Sequence, residues 1–141
     1  MTNLLISVKP HWAEKIASGE KTWELRKLRP RDTVKNVVIY ATAPVSKVVC
    51  IATLENVICT KVGDMLLYLY HDKNHACISE LEFLRYYRDK DRAYALVLSN
   101  PQPLDIPLSE IRELKPHFYP PQSYIYLDDN DRLVRKIQER L

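Results

Sequence analysis

The stretch Gly19-Glu20-Lys21-Thr22-Trp23-Glu24-Leu25-Arg26 decides the reading of this chain, because the hydrophobic period changes within it. Before it, Trp12 and Ile16 stand four apart with Ala13 and Ala17 beside them, the stripe of a short amphipathic helix. Pro10 suits the first turn of that helix, where its missing N–H leaves nothing unpaired. Gly19 ends it, since the residue past a helix often needs a positive φ that glycine adopts without a Cβ clash. From Lys21 to Leu28 the period becomes two. Trp23 and Leu25 are expected to face the core, and Thr22, Glu24 and Arg26 the opposite side.

Working outward, Asn3 to Val8 reads as a strand before the helix. Asn36 to Thr42 and Lys47 to Cys59, both rich in β-branched residues, read as two more, with Pro44 marking the turn between antiparallel neighbours. Asp64 to His71 and Ser79 to Arg88 carry helical spacings, and Ser79 with Glu82 makes a capping box. Arg92 to Leu98 returns to strand, after which Pro101, Pro103 and Pro107 are expected to break regular pairing. Leu108 to Leu114 reads as a short helix stopped before Pro116, and Tyr124 to Leu127 as a last strand. The tail places Leu133, Ile137 and Leu141 four apart with Val134 alongside, an amphipathic helix behind the capping candidates Asp128 and Asp129. No repeat or polar linker divides the chain, so the expectation is one α+β domain built on a small β-barrel with flanking helices.

Composition excludes several classes. At 141 residues and 46% hydrophobic content a single core needs no disulfides. Two glycines are too few for a glycine-rich phosphate loop. Cys50, Cys59 and Cys77 are odd in number and read as reduced, buried thiols. The first residues lack the charge pattern and apolar length of a signal peptide or membrane span, so a cytoplasmic location and no membrane partner are expected. The net charge of +3 is modest but unevenly spread. Lys21, Arg26, Lys27, Arg29, Arg31 and Lys35 face only Glu24 and Asp32 within their stretch, either an electropositive patch or a solvated strand and loop. His71, His75 and Cys77 are the one metal-like cluster. They lack a fourth ligand at workable spacing, so neither a metal nor a cofactor is expected.

Glu24 and Arg26, two apart in a strand, share a face and can pair in the planar, bidentate geometry that suits a nucleobase edge or a phosphate. Lys9 and Lys21 flank the same helix, and with Arg26 they could form a positive funnel.

These residues resemble the ASCH family of the PUA-like superfamily, whose opening is a strand, a short helix and G-x-K-x-x-E-x-R, here Gly19, Lys21, Glu24 and Arg26. Ser7-Val8-Lys9-Pro10, the run from Tyr40 to Lys47, and Pro120-Pro121-Gln122-Ser123-Tyr124 resemble the same family in the same order. The likeness covers most of residues 2–127, so residues 1–127 are assigned to an ASCH, PUA-like domain and 128–141 to a C-terminal helical extension of lid or partner-surface type.

The resemblance implies a PUA-like barrel and a cleft for RNA or another nucleotide-containing ligand, bordered by Lys9, Lys21, Glu24, Arg26, Gln122 and Tyr124. It also implies RNA-associated or transcription-associated regulation, or a metal-independent hydrolase of RNA or of a nucleoside. For cleavage of RNA the family likeness points to Tyr40, Lys47 and Ser123 as catalytic counterparts, a lysine to stabilise phosphorane charge and hydroxyls to position or exchange protons. For acetylcytidine hydrolysis, glutamate stands at position 24 where that activity uses a threonine, which argues against it. A protein-interaction role for the Leu133 to Leu141 helix is the third alternative, with no partner identified.

Overall fold

A computed structural model describes residues 2–31, 33–71 and 73–141. The chain runs β1 (Thr2–Val8), α1 (Pro10–Ala17), β2 (Trp23–Arg26), β3 (Val34–Ala41), β4 (Lys47–Lys61), α2 (Val62–His71), α3 (Glu80–Tyr86), β5 (Arg92–Pro107), α4 (Leu108–Leu114), β6 (Tyr124–Asp128) and α5 (Arg132–Glu139). One six-stranded sheet carries the order β2-β5-β4-β3-β1-β6. β1 and β3 are parallel, with Leu4 opposite Val37 and Ile6 opposite Ile39, and the other neighbours are antiparallel. The α+β class is as expected. The barrel is not: β2 and β6 end the sheet, and no ladder among the described residues joins them.

Alternation along the central strands sends side chains to both faces. Leu4, Ile6 and Val8 of β1 join Val37, Ile39 and Ala41 of β3 and Ala13 and Ile16 of α1 in one cluster. Leu5, Val38 and Tyr40 point the other way, to Ile111 of α4 and to Leu133, Val134 and Ile137 of α5. The outer halves of β4 and β5, with β2, carry a third cluster under α2 and α3, formed by Leu25, Met65, Leu69, Phe83, Tyr87 and Ala95 among others. The C-terminal helix is therefore a wall of the second core, with its apolar stripe buried up to Ile137 while Leu141 stays exposed.

Several local expectations are met and others corrected. Gly19 has a φ of +84° past the end of α1, and the Ser79–Glu82 capping box is present. α5 is capped by Asp131, whose carboxylate accepts from the backbone N–H of Leu133 and Val134, rather than by Asp128 or Asp129. β6 runs on to Asp128, whose side chain is taken up by the turn through the Asn130 N–H. β5 continues through Pro101, Pro103 and Pro107, with Pro103 opposite Cys50 and Pro107 opposite Lys47. The prolines are tolerated because β2 pairs with β5 only from Tyr94 to Val97 and Thr22 takes the Leu98 N–H, so beyond Leu98 no second ladder among the described residues is there to receive an N–H. Pro101 and Pro103 coincide instead with shifts of register between Ile51 and Thr53 and between Val48 and Cys50.

All three cysteines are free, but only Cys50 is buried; Cys59 is exposed and Cys77 intermediate. Burial pushes the Cys50 thiol up to about 12, so it is an inert core group. No helix among the described residues is long and apolar enough to cross a membrane.

Candidate functional site

The expected strand face is assembled around a buried charge triad. Lys21 leaves the end of α1 with its backbone N–H donating to the Lys15 carbonyl at 3.0 Å, and its side chain turns inward rather than to solvent. Its ammonium donates to the carbonyls of Trp23 at 2.7 Å and Ala76 at 2.8 Å and lies 3.5 Å from Glu24 Oε1. Burial pushes the Lys21 pKa below its ordinary value, and Glu24 opposes that push. Three acceptors match the three N–H donors of an ammonium, so the geometry holds this lysine in place as a cation.

Glu24, on β2, is only 7% exposed. Its other oxygen takes Arg26 Nε at 3.0 Å and Nη2 at 2.8 Å. Arg26 then reaches across: Nη1 donates to Ser123 Oγ at 3.2 Å and Nη2 to the Ser7 carbonyl at 3.0 Å. One side chain on the end strand β2 thus bridges to β1 and to the segment entering β6, the very elements that no ladder connects to it. That segment is tied down by Ser7, whose hydroxyl donates to the Pro121 carbonyl at 2.6 Å and whose backbone N–H donates to Ser123 O at 3.0 Å.

The gap so bridged is a cleft of about 550 Å³. Five of the six residues expected to contact a ligand line it: Lys9, Lys21, Glu24, Arg26 and Gln122. Tyr124 does not; it stands on β6 beside Tyr126, the two rings edge to face at 5.6 Å. Of the three residues expected to be catalytic, Ser123 is held by Arg26 at the rim. Tyr40 is 1% exposed in the second core, tilted against Phe118. Lys47 is partly exposed and paired with Asp105 at 3.3 Å. No contact among the described residues joins Tyr40 or Lys47 to Ser123. His71 ends α2, while His75 lies beyond it and stacks on Trp23 at 4.9 Å, so the two histidines do not share a helix.

The sequence did not single out the apolar lining. Trp12, read only as part of a buried helical stripe, walls the cleft together with Leu25, Ile78, Tyr86 and Pro120. Lys9 and Lys21 lie 5.7 and 5.8 Å from its ring. Trp12 Nε1 is, among the described residues, the one buried side-chain nitrogen or oxygen without a hydrogen-bond partner. An indole N–H left so is a departure that folded proteins mostly avoid. Tyr86 joins the wall from α3 and carries Lys27 over its ring at 4.5 Å. Neither Trp12 nor Tyr86 could be told from a core aromatic by spacing alone, because in both helices it also packs against buried residues.

The lining therefore combines an aromatic and aliphatic wall with three cations against one carboxylate. Such a cleft suits a flat, partly apolar ligand that bears negative charge.

The model of the ASCH domain matches residues 6–107. The chain belongs to the ASCH domain family. A protein described as an ASCH domain-containing ribonuclease, from Zymomonas mobilis subsp. mobilis, is 33% identical over 134 residues, covering 92% of this chain and 88% of the relative. The crystal structure of the Zymomonas mobilis ASCH protein superimposes with a TM-score of 0.84 at 33% identity over 94% of each chain. A tyrosine-to-phenylalanine mutant of that protein gives 0.85 at 30% identity over 96% of each chain. The structural likeness thus reaches past the residues matched by the family model.

Proposed function

We propose that this chain binds single-stranded RNA in the cleft between β1, β2 and the Pro120–Gln122 segment, and that it cleaves the RNA it binds. The convergence of Lys9, Lys21, Glu24, Arg26 and Gln122 on one cavity walled by Trp12 and Tyr86 carries the binding part. A nucleotide offers what that lining complements: a flat ring for the aromatic wall, base-edge groups for Gln122, and a phosphate for the cations. Unpaired RNA is the fitting form, because its bases can leave the stack and enter a pocket. Three free cysteines fit a cytoplasmic setting.

Cleavage is favoured by the ribonuclease among the relatives, which is matched over nearly its whole length. Of the three catalytic candidates, Ser123 is the one held by a cleft-lining residue, one hydrogen bond from Arg26. Tyr40 and Lys47 remain candidates at the cleft end of the sheet, where Lys47 stands opposite Ala41 and Thr42 lines the cleft, though Tyr40 is buried and Lys47 is paired with Asp105. Binding in RNA-associated or transcription-associated regulation is the outcome if turnover is absent. The α5 helix has less to offer as a partner surface, since its apolar stripe is used in the core.

The test is an end-labelled single-stranded oligoribonucleotide incubated with purified protein in excess chelator. Binding is expected to weaken about tenfold or more in Arg26→Ala, which removes a charge-assisted contact of about 1.5–3 kcal/mol. Cleavage is expected to persist in chelator and to fall in Ser123→Ala. No affinity for RNA at low salt would defeat the whole reading; affinity without cleavage would leave binding alone.

A further inference from the structure

Outside the cleft, a second set of aromatic and cationic side chains has no role in what has been described so far. The loop between β2 and β3, Lys27-Leu28-Arg29-Pro30-Arg31, folds back over β6. Arg31 places its guanidinium 4.1 Å from the centre of the Tyr126 ring, and its backbone N–H donates to the Tyr126 hydroxyl at 3.1 Å. Tyr126 in turn meets Tyr124 edge to face. Tyr124 lies close enough to both Arg26 and Arg31 for their charges to act on its hydroxyl. An unbroken series thus leads out of the cleft: Arg26, Ser123, Tyr124, Tyr126, Arg31.

We propose that this series is a second subsite, a track along β6 that holds the nucleotides flanking the one in the cleft. The inference rests on the reading of the cleft as an RNA site and adds to it the path of the strand. Its chemistry is that of sequence-tolerant single-strand binding: tyrosine rings for stacking, with arginines beside them whose planar faces also stack and whose N–H groups meet phosphates. Tyr124 and Tyr126 are half-buried, so their rings are fixed yet reachable, and Arg31 is exposed. The alternative occupant, a protein segment, is disfavoured by composition, because the residues between β2 and β3 carry three cations, Lys27, Arg29 and Arg31, against the one carboxylate of Asp32. A double helix is disfavoured too, since its bases are stacked on one another and unavailable to tyrosines.

The track and the cleft separate by ligand length. Adenosine 5′-monophosphate fills the cleft alone, whereas a single-stranded oligoribonucleotide of about eight residues covers both, given the usual extent of such sites. The full chain is expected to bind the oligonucleotide at least about tenfold more tightly than the mononucleotide, as one stacked base and one phosphate contact would give. Arg31→Ala is expected to remove most of that difference and leave mononucleotide affinity as it was. Tyr126→Ala should act in the same direction, with its circular dichroism and melting curve checked against the parent because β6 pairs with β1. Equal affinity for the two ligands overturns the track while the cleft stands, and so does an Arg31→Ala protein that still prefers the longer ligand. If neither ligand binds, the cleft reading fails and the track with it. A duplex of the same length that binds as well as the single strand overturns the stacking argument.

Discussion

Glu24 is the residue on which the site turns, because it is the single anion between two buried cations. Its two oxygens hold Lys21 and Arg26, so removing it leaves both charges facing each other in a poorly hydrated space. Breaking a buried pair by taking away one partner is far more damaging than the pair itself is stabilising. Glu24→Ala is therefore expected to destabilise the fold by about 3 kcal/mol, read as a fall in the denaturant midpoint with an unchanged slope. A loss below about 1 kcal/mol would mean that water reaches the triad and screens it like a surface pair. Glu24→Gln keeps an acceptor for only one of the two partners and turns an N–H donor to the other, and should fall between the parent and the alanine variant. Spacing in the sequence already put Glu24 and Arg26 on one face. What spacing could not give is that Lys21, read as a reaching cation, is turned inward and saturated by two carbonyls, one of them Ala76, 55 residues away. Nor could it give the bridge from Arg26 to Ser123, since contacts between distant segments leave no local period.

At the level of elements, legibility followed the mechanism that sets each boundary. α1 and α3 were readable because their signals are local: a proline at the start, a positive-φ glycine past the end, and a capping box. β5 was not, since whether proline stops a strand depends on a neighbour that the sequence of the strand does not contain. α5 shows the same limit from the other side. Its stripe was plain, but a stripe does not say what it packs on, and here it meets Leu5 and Val38 from strands more than ninety residues earlier. Leu133 is fully buried there, so Leu133→Ala should destabilise by about 3 kcal/mol through lost burial and the cavity left behind. A lid or a partner surface would instead tolerate the change with a shift under about 0.5 kcal/mol. Thermal unfolding of the two proteins side by side distinguishes these outcomes, and a single cooperative transition in the parent would tie α5 to the main fold.

At the scale of the whole molecule, the net charge of +3 understates the field at the cleft. Three acidic residues outside the cleft lining are paired: Glu110 with Arg140, Asp131 with Lys115, Asp105 with Lys47. The cations on the ligand side are Lys9 and Arg26 at the cleft and Lys27 and Arg31 in the adjoining loop. Lys21 belongs to the triad and adds potential without a free N–H to offer. If three or four of the outer cations meet phosphates, releasing counterions from a single strand, the logarithm of the association constant should fall with the logarithm of salt at a slope of about −2 to −3. From 50 to 200 mM salt that is a loss of about thirtyfold. Arg31→Ala should make the slope shallower by a little less than one, whereas Trp12→Phe, which shrinks the aromatic wall and removes no charge, should lower affinity at every salt concentration and leave the slope alone. A slope near zero in the parent protein would show that the cleft recognises the base or sugar without the phosphate. The ligand would then be a neutral nucleoside, and the cations around it would serve the fold rather than the binding.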